Sequence, residues 1–113
     1  MKDDALYLAH IRECTERIAQ YTAGGRAVFE TDTLTQDAVL RNLHTLSEST
    51  TRLSDACKQQ HSEIDWRKIA GFRNVIVHDY LGIDLDIVWG IVEQDLPVLR
   101  QTVDAMLTES GVP

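Results

Sequence analysis

Residues 69–82 read Ile-Ala-Gly-Phe-Arg-Asn-Val-Ile-Val-His-Asp-Tyr-Leu-Gly. The segment places five polar side chains among apolar ones, and the polar residues are Arg73, Asn74, His78, Asp79 and Tyr80. Elsewhere the chain has the spacing of ordinary amphipathic helices, with an apolar residue every three or four positions. Residues 69–82 combine that helical pattern with a set of reactive groups, and we expect them to organise both the fold and the function.

The segment presents different residues on different helix faces, because successive residues of an α-helix are rotated by about 100°. Ile69, Phe72, Val75 and Ile76 cluster on one side and are predicted to face the core. Arg73 and His78 are five positions apart, so about 140° separates them on a straight helix. A site that uses both side chains therefore requires a distorted helix end or a second chain across a two-fold axis, and we expect both to contribute.

The chemistry of this pair suits a phosphodiester substrate. A histidine in the last turn of a helix lies near the negative end of the dipole, which favours its protonated form and makes it a proton donor and acceptor near neutral pH. Arg73 offers a planar fork that fits a phosphate. In RNA the 2'-hydroxyl is a built-in nucleophile, so cleavage without a metal needs one base, one acid and positive charge at phosphorus. A single His78 cannot act as base and acid in the same step, whereas a two-fold dimer supplies two copies of His78.

Simpler interpretations compete with this one. An arginine and a histidine on one helix are usually surface residues, residues 75–77 could form a purely structural dimer face, and Tyr80 could be a residue at the edge of the core. His10, His44 and His61 have no partners at metal-ligand spacing and are predicted to be solvated. We predict no metal and no cofactor, and the sequence has neither a glycine-rich phosphate loop nor a Ser or Cys nucleophile arrangement.

The remaining periodicity predicts four helices, with boundaries near residues 3–21, 34–60, 66–80 and 85–107. Their apolar faces include Tyr7, Ile11, Cys14, Ile18 and Tyr21 in the first helix, Val39, Leu43, Leu46, Thr50, Leu53 and Cys57 in the second, and Val88, Ile91, Val92, Leu99, Val103 and Met106 in the fourth. Short connectors predict antiparallel neighbours. The expected fold is all-α, an up-and-down four-helix bundle in a single domain over residues 1–113.

Local signals mark where these helices begin and bend. Thr33 or Thr35 is a candidate cap for the second helix, Asp65 for the third and Asp84 for the fourth. Gly71 predicts tight packing or a bend in the third helix, and Pro97 predicts a kink near Glu93 in the fourth. Small residues at positions 47–51 would let another helix approach closely.

Composition limits the class of protein. The chain has 113 residues, a net charge of −7 and a pI near 4.9, which argues against a general nucleic-acid surface and against DNA binding. A local basic cluster of Arg67, Lys68 and Arg73 remains possible. The sequence shows no signal peptide and no stretch of the roughly 20 apolar residues that a membrane span needs. We expect a cytoplasmic protein without a membrane partner, in which Cys14 and Cys57 are buried, reduced thiols.

Residues 73–80 match the pattern Arg-polar-x-x-x-His-x-Tyr, and with this motif the chain resembles the HEPN-domain toxins of the HepT family. The resemblance covers nearly the whole chain. It includes Asp3-Asp4 with Tyr7-Leu8, and residues 36–41, 64–71, 84–89 and 95–97.

The resemblance implies an all-helical homodimer that acts as a metal-independent ribonuclease toxin, with its Arg/His site in a cleft at the dimer interface. The implied partner is an MntA-like minimal nucleotidyltransferase, the antitoxin, which transfers AMP from ATP to the motif tyrosine. By resemblance Arg73 would bind the phosphate, His78 would be the acid and base, Asn74 would orient the site and Tyr80 would accept AMP. Asp79 would either assist the imidazole or repel RNA.

Two other functions stay open. The first is a non-catalytic helical module that binds a nucleotidyltransferase partner and helps its nucleotide or substrate binding. The second is a plain dimerising structural protein. The presence of Arg73, His78 and Tyr80 together favours the ribonuclease toxin, because a scaffold does not need all three.

Overall fold

The computed structural model describes residues 2–77 and 84–109, and within them the regular structure is helical, without a β-strand. The predicted all-α class is therefore confirmed. No helix in this part of the chain combines the length and apolar character needed to cross a membrane. The helices are α1 (Lys2–Tyr21), α2 (Arg26–Thr31), α3 (Thr33–Thr51), α4 (Asp55–Gln59), α5 (Trp66–Ala70), α6 (Phe72–Val77), α7 (Leu85–Gly90), a π-helical turn (Ile91–Asp95) and α8 (Leu96–Glu109).

The centre of the fold is α1, which packs against α3 and α8. On the predicted face of α1, Ile11, Cys14 and Ile18 are buried as predicted, whereas Tyr7 is half-buried and Tyr21 is exposed. Leu8 and Thr15 are also buried, although they were not predicted to lie on this face. Asp4 at the start of α1 bonds to Ser54 beyond the end of α3, and Glu16 lies 3.5 Å from Arg100 of α8. The first contact shows that α1 and α3 run antiparallel.

The predicted connector between residues 24 and 32 contains a helix of its own, α2. Gly25 precedes it with a φ of +91°, a conformation that glycine adopts without strain. The short helix places Phe29 wholly in the core, where its ring lies 5.5 Å from that of Trp89. Arg26, on the exposed side of α2, pairs with Glu30 and with Asp86 of α7. An apolar anchor in the core and one ion pair to α7 thus stabilise a helix in a segment too short to show helical periodicity.

The predicted second helix is wrong in its length and in its cap. It ends at Thr51 and is followed by a turn in which Leu53 is buried, and α4 then begins after Ser54. The Ser54 hydroxyl accepts from the Cys57 amide at 3.1 Å, which caps α4. At the other end Asp32 caps α3, and Thr35 donates to its carboxylate instead of capping the helix itself.

Small residues in the second half of α3 allow close helix packing, as expected. Ser47, Ser49 and Thr50 are buried in this part of α3. The Ser47 and Thr50 hydroxyls donate to carbonyls one turn earlier, at 2.8 and 3.0 Å, so their burial leaves these hydroxyls satisfied. Both α5 and α6 pack against α3. Because Arg67 and Lys68 lie in α5 and Arg73 lies in α6, this packing brings the candidate site next to α3.

The last predicted helix is divided by the π-helical turn. The sequence predicted a kink near Glu93, and the structure has a wider turn there, with the Leu96 amide bonded to the Ile91 carbonyl five residues back. Pro97 explains the position, because it lacks an amide hydrogen and its ring crowds the carbonyl four residues earlier. On the predicted core face Val92 is only half-buried, whereas the other members are buried as predicted, and these are Val88, Ile91, Leu99, Val103 and Met106. Leu96 is also buried, although it was not predicted.

Candidate functional site

The turn at Gly71 positions the candidate site, because it divides the predicted third helix into α5 and α6. Asp65 caps α5 as predicted, accepting from the Lys68 amide at 3.1 Å. Ile69 and Phe72 are 4% and 2% exposed, so the predicted core face is confirmed at these two positions. Phe72 anchors α6 in the core beside the break, and the next residue along the chain is Arg73.

Arg73 and Asn74 are both exposed, on the solvent side of α6. The Arg73 guanidinium donates through Nη1 to Oε1 of Glu48 in α3, at 2.9 Å. The two side chains are 51% and 38% exposed, so solvent screens the pair and it contributes little to stability. The contact nevertheless gives the arginine a defined partner across the α3–α6 interface.

The predicted basic cluster is also on the surface, and part of its charge is neutralised. Arg67 and Lys68 of α5 are exposed like Arg73. The Lys68 ammonium lies 3.0 Å from Asp95 of the π-helical turn. Two of the three predicted phosphate-binding cations, Lys68 and Arg73, thus have a carboxylate partner, which reduces the net positive charge that this surface offers to a phosphate.

His78, Asp79 and Tyr80 lie outside the described residues. The meeting of Arg73 with His78, the supporting role of Asp79 and the role of Tyr80 as AMP acceptor therefore stay predictions, as do the four-helix bundle and the homodimer. The residue that the sequence analysis missed is Glu48. It is 25 positions from Arg73, a separation with no periodic relation, and only the docking of α6 on α3 brings the two together.

A second polar cluster joins the start of α1 to the turn between α3 and α4. Asp4 is 7% exposed and accepts from the Ser54 amide and hydroxyl, at 2.8 and 2.6 Å. Burial acts to raise the pKa of Asp4, but the hydrogen bonds from Ser54 outweigh it and the net pKa is lowered. Because Asp4 is held by these bonds, it is a structural residue and not merely a charge at the helix terminus.

His61 belongs to the same region, and the prediction that it is solvated is wrong. Its side chain is 14% exposed, with Nδ1 2.9 Å from Glu63 and Nε2 3.2 Å from Glu109. The hydrogen bond with Glu63, followed by that with Glu109, raises its pKa. His61 therefore links the segment before α5 to the end of α8, whereas His10 and His44 are exposed as expected.

Several cavities among the described residues lie outside the Arg73 region, and two of them border groups considered above. One of 250 Å³ is lined by Asp4, Cys57, His61, Met106 and Glu109 among others, and one of 440 Å³ lies between α1 and α8. Cys14 and Cys57 are free thiols, as predicted, although Cys57 is only half-buried. Burial raises the pKa of both, which keeps them protonated near neutral pH.

Comparison with known proteins points to one family. The family described as Ribonuclease HepT-like matches residues 11–106. A Thermococcus cleftensis protein named probable ribonuclease HepT is 35% identical, over 83% of this chain and 86% of that protein. A Methanocaldococcus jannaschii protein named gamma-glutamylcyclotransferase and putative RNase is 31% identical over 96% of this chain, and the chain spans only 49% of its length.

A solved structure agrees with these relatives. It is that of a tri-AMPylated Shewanella oneidensis HEPN toxin in complex with an MNT antitoxin. The toxin is 26% identical, with a TM-score of 0.72, over 96% of this chain and 99% of that one.

Proposed function

This chain belongs to the HepT-like ribonuclease family, and from that premise we propose that it is the toxin of a type VII-like toxin–antitoxin pair. Its proposed activity is endonucleolytic cleavage of RNA without a metal ion. The proposed site is composite, with Arg73 and His78 from two copies of the chain at a dimer interface. Its place of action would be the cytoplasm, where RNA and ATP are both present.

The proposed reaction needs only groups that the chain and its substrate supply. The 2'-oxygen of one ribose attacks the adjacent phosphorus while the bond from phosphorus to the 5'-oxygen breaks. One His78 takes the proton of the 2'-hydroxyl, and the partner's His78 gives a proton to the departing 5'-oxygen. The products are a 2',3'-cyclic phosphate and a 5'-hydroxyl. Arg73 stabilises the negative charge that builds up on the phosphate oxygens, and Asn74 orients them.

The proposed off-switch is AMP transfer to Tyr80 by an MntA-like nucleotidyltransferase. The phenol oxygen attacks the α-phosphorus of ATP, pyrophosphate leaves, and the phenol proton is lost to solvent or to a base of the partner. The added nucleotide is a bulky anion two positions from His78, so it would block the cleft and oppose the charge of Arg73. The related Shewanella toxin, which is AMPylated and bound to an MNT antitoxin, supports this part of the proposal.

The observation that carries the proposal is that Arg73 is exposed to solvent. Arg73 also lies within residues 11–106, which match the ribonuclease family. Phe72 before it is buried, so the helix is anchored while its cation faces solvent. The one ion pair recorded for Arg73 within residues 2–77 and 84–109 is exposed, and a phosphate can compete for an exposed guanidinium.

The test is cleavage of RNA by the purified chain in the presence of EDTA. We expect the wild-type chain to cut single-stranded RNA and to arrest bacterial growth, and His78→Ala and Arg73→Ala to abolish both effects. His44→Ala, an exposed histidine on α3, is the matched control and should leave cleavage unchanged. A folded wild-type chain that leaves RNA intact and growth unchanged would favour the non-catalytic module that binds a nucleotidyltransferase. Cleavage that needs an added metal would refute the metal-free mechanism alone.

A further inference from the structure

We propose that Glu48 is a positioning residue for Arg73, which holds the guanidinium in the orientation that cleavage requires. This inference rests on the function proposed above and adds a residue from another helix to the site. The inference is based on the hydrogen bond that Arg73 Nη1 donates to Glu48 Oε1, at 2.9 Å.

The backbone around Glu48 is well fixed. Its neighbours Ser47 and Ser49 are buried against the rest of the bundle, and its own carbonyl accepts from the Thr51 hydroxyl at 2.7 Å. The carboxylate therefore projects from a rigid part of α3. A long arginine side chain loses considerable rotamer freedom when it is held in one geometry, and a fixed carboxylate selects that geometry before the substrate arrives.

The residue with which Glu48 forms its ion pair also indicates a role beyond stabilising its own helix. Arg52 lies four positions after Glu48, the spacing and order that favour an ion pair along one helix. Within the part of the chain that the structure describes, the recorded ion pair of Glu48 is instead with Arg73 of α6. The carboxylate thus acts between helices, on the cation that the site would use.

The contact leaves a phosphate-binding edge available. A guanidinium has five N–H donors, and the bond to Glu48 is made through Nη1. The edge formed by Nε and Nη2 can still bind two oxygens of one phosphate. Glu48 can therefore remain bonded while RNA binds, which is the arrangement expected of a positioning group and not of a competitor that must leave.

The carboxylate has an opposing effect on binding, because its negative charge lies close to the phosphate of the substrate. Removal of that charge should leave the affinity for RNA unchanged or raise it. Loss of the hydrogen bond should slow the chemical step. The slower chemical step lowers kcat, while KM stays unchanged or falls; loss of a merely structural residue would not separate kcat from KM in this way.

The experiment measures kcat and KM on a short single-stranded RNA, and binding of its uncleavable 2'-deoxy analogue by fluorescence anisotropy. We expect Glu48→Ala to lower kcat about threefold to fivefold, the size expected for loss of an exposed, screened ion pair, with KM and the analogue's Kd unchanged or lower. Glu48→Gln keeps an oxygen acceptor and should lie between wild type and Glu48→Ala. Glu13→Gln is the matched control, because Glu13 forms an exposed pair with Arg17 on α1, and it should leave kcat unchanged.

Three results would overturn the inference, and they are distinguishable. If the wild-type chain cleaves and Glu48→Ala matches its kcat, the positioning role is wrong while the proposed function stands. If Glu48→Ala raises kcat, the carboxylate is a competitor and the positioning role is again wrong. If the wild-type chain cleaves no RNA, the proposed function fails and this inference fails with it.

Discussion

Asp4 and Ser54 are joined by two hydrogen bonds, one from the Ser54 amide at 2.8 Å and one from its hydroxyl at 2.6 Å. The same hydroxyl accepts from the Cys57 amide and so begins α4. Asp4, near the start of α1, thus fixes the point at which the predicted long helix is divided into α3 and α4. This bond pair explains why α3 does not continue into α4.

Replacement of Asp4 should destabilise the fold. We expect Asp4→Ala to lower the free energy of unfolding by about 2 kcal/mol, because it removes a charged acceptor from two half-buried donors of Ser54. Urea unfolding measures the change. Asp3→Ala is the matched control, since Asp3 is exposed, and it should differ little from wild type. Equal effects at the two positions would show that the terminal charge matters and not the bond to Ser54.

The Asp4 contribution should depend on pH in the acidic range. Its folded-state pKa is lowered below the ordinary value of 3.8, so folding favours the ionised form. The stabilisation is fully present above pH 3.8 and is lost as the pH falls through the folded pKa. The difference in stability between wild type and Asp4→Asn should therefore narrow below that pH. A difference that stays constant in acid would contradict the assignment.

His61 should show the opposite dependence. Its folded-state pKa is raised above 6.5, so its contribution is fully present below pH 6.5 and is lost as the pH rises through the folded pKa. Glu63 and Glu109 contact the ring, and Asp4 and Cys57 line the adjoining cavity. We expect His61→Gln to reduce stability by roughly 0.5–1 kcal/mol at low pH, since both carboxylate partners are largely exposed. Thermal unfolding of wild type, His61→Gln and the control His44→Gln, measured at pH values on both sides of 6.5, tests this prediction. The stability difference between wild type and His61→Gln should shrink as the pH rises, and the same pH dependence for all three proteins would refute the prediction.

Phe29 should be among the most sensitive core positions, although it lies in a segment predicted as a connector. It is fully buried and packs against Trp89. Phe29→Ala should cost about 3–5 kcal/mol in unfolding free energy, through lost burial and a residual cavity. The neighbouring Val28 is 46% exposed, and Val28→Ala should change stability by less than about 0.5 kcal/mol. Similar losses at both positions would mean that α2 is not anchored by Phe29.

Tyr80 should be the site of nucleotide transfer. We expect the intact mass of the chain to rise by whole AMP units after incubation with the partner nucleotidyltransferase and ATP, and RNA cleavage to fall in parallel. Tyr80→Phe should gain no AMP, because it lacks the phenol oxygen that attacks the α-phosphorus. Tyr21→Phe removes an exposed tyrosine of α1 and should be modified like wild type. AMP addition to Tyr80→Phe would disprove the assignment.

The features predicted correctly from the sequence are those set by neighbours along the chain. Asp65 and Asp84 cap helices because their carboxylates reach amides two or three residues ahead. The apolar faces of α1 and α8 follow from their periodicity, and Gly71 marks a real break. These interactions depend on spacing within one or two turns, which a sequence displays directly.

The features that were missed depend on contacts between distant residues. The break before α4 needs Asp4, the helix α2 needs Trp89 as the partner of Phe29, and the pairing of Arg73 needs Glu48. None of these pairs has a periodic relation in the sequence. His61 is a similar case, because the sequence predicted it to be solvated and its contact with Glu109 of α8 comes from a residue 48 positions away.

The π-helical turn at Ile91–Asp95 has a consequence for insertions and deletions. A π-helical turn is an α-helix that carries one additional residue, so the helices on either side keep their phase as if that residue were absent. Deletion of Gln94, whose side chain is exposed, would remove this additional residue and leave the buried faces of α7 and α8 aligned, although Pro97 would still interrupt the helical hydrogen bonds there. A deletion of the same size within α1 or α3 would rotate every later side chain by about 100° and turn the core face towards solvent. In this family, we expect chain length to vary by single residues at this turn and to be constant within the two long helices.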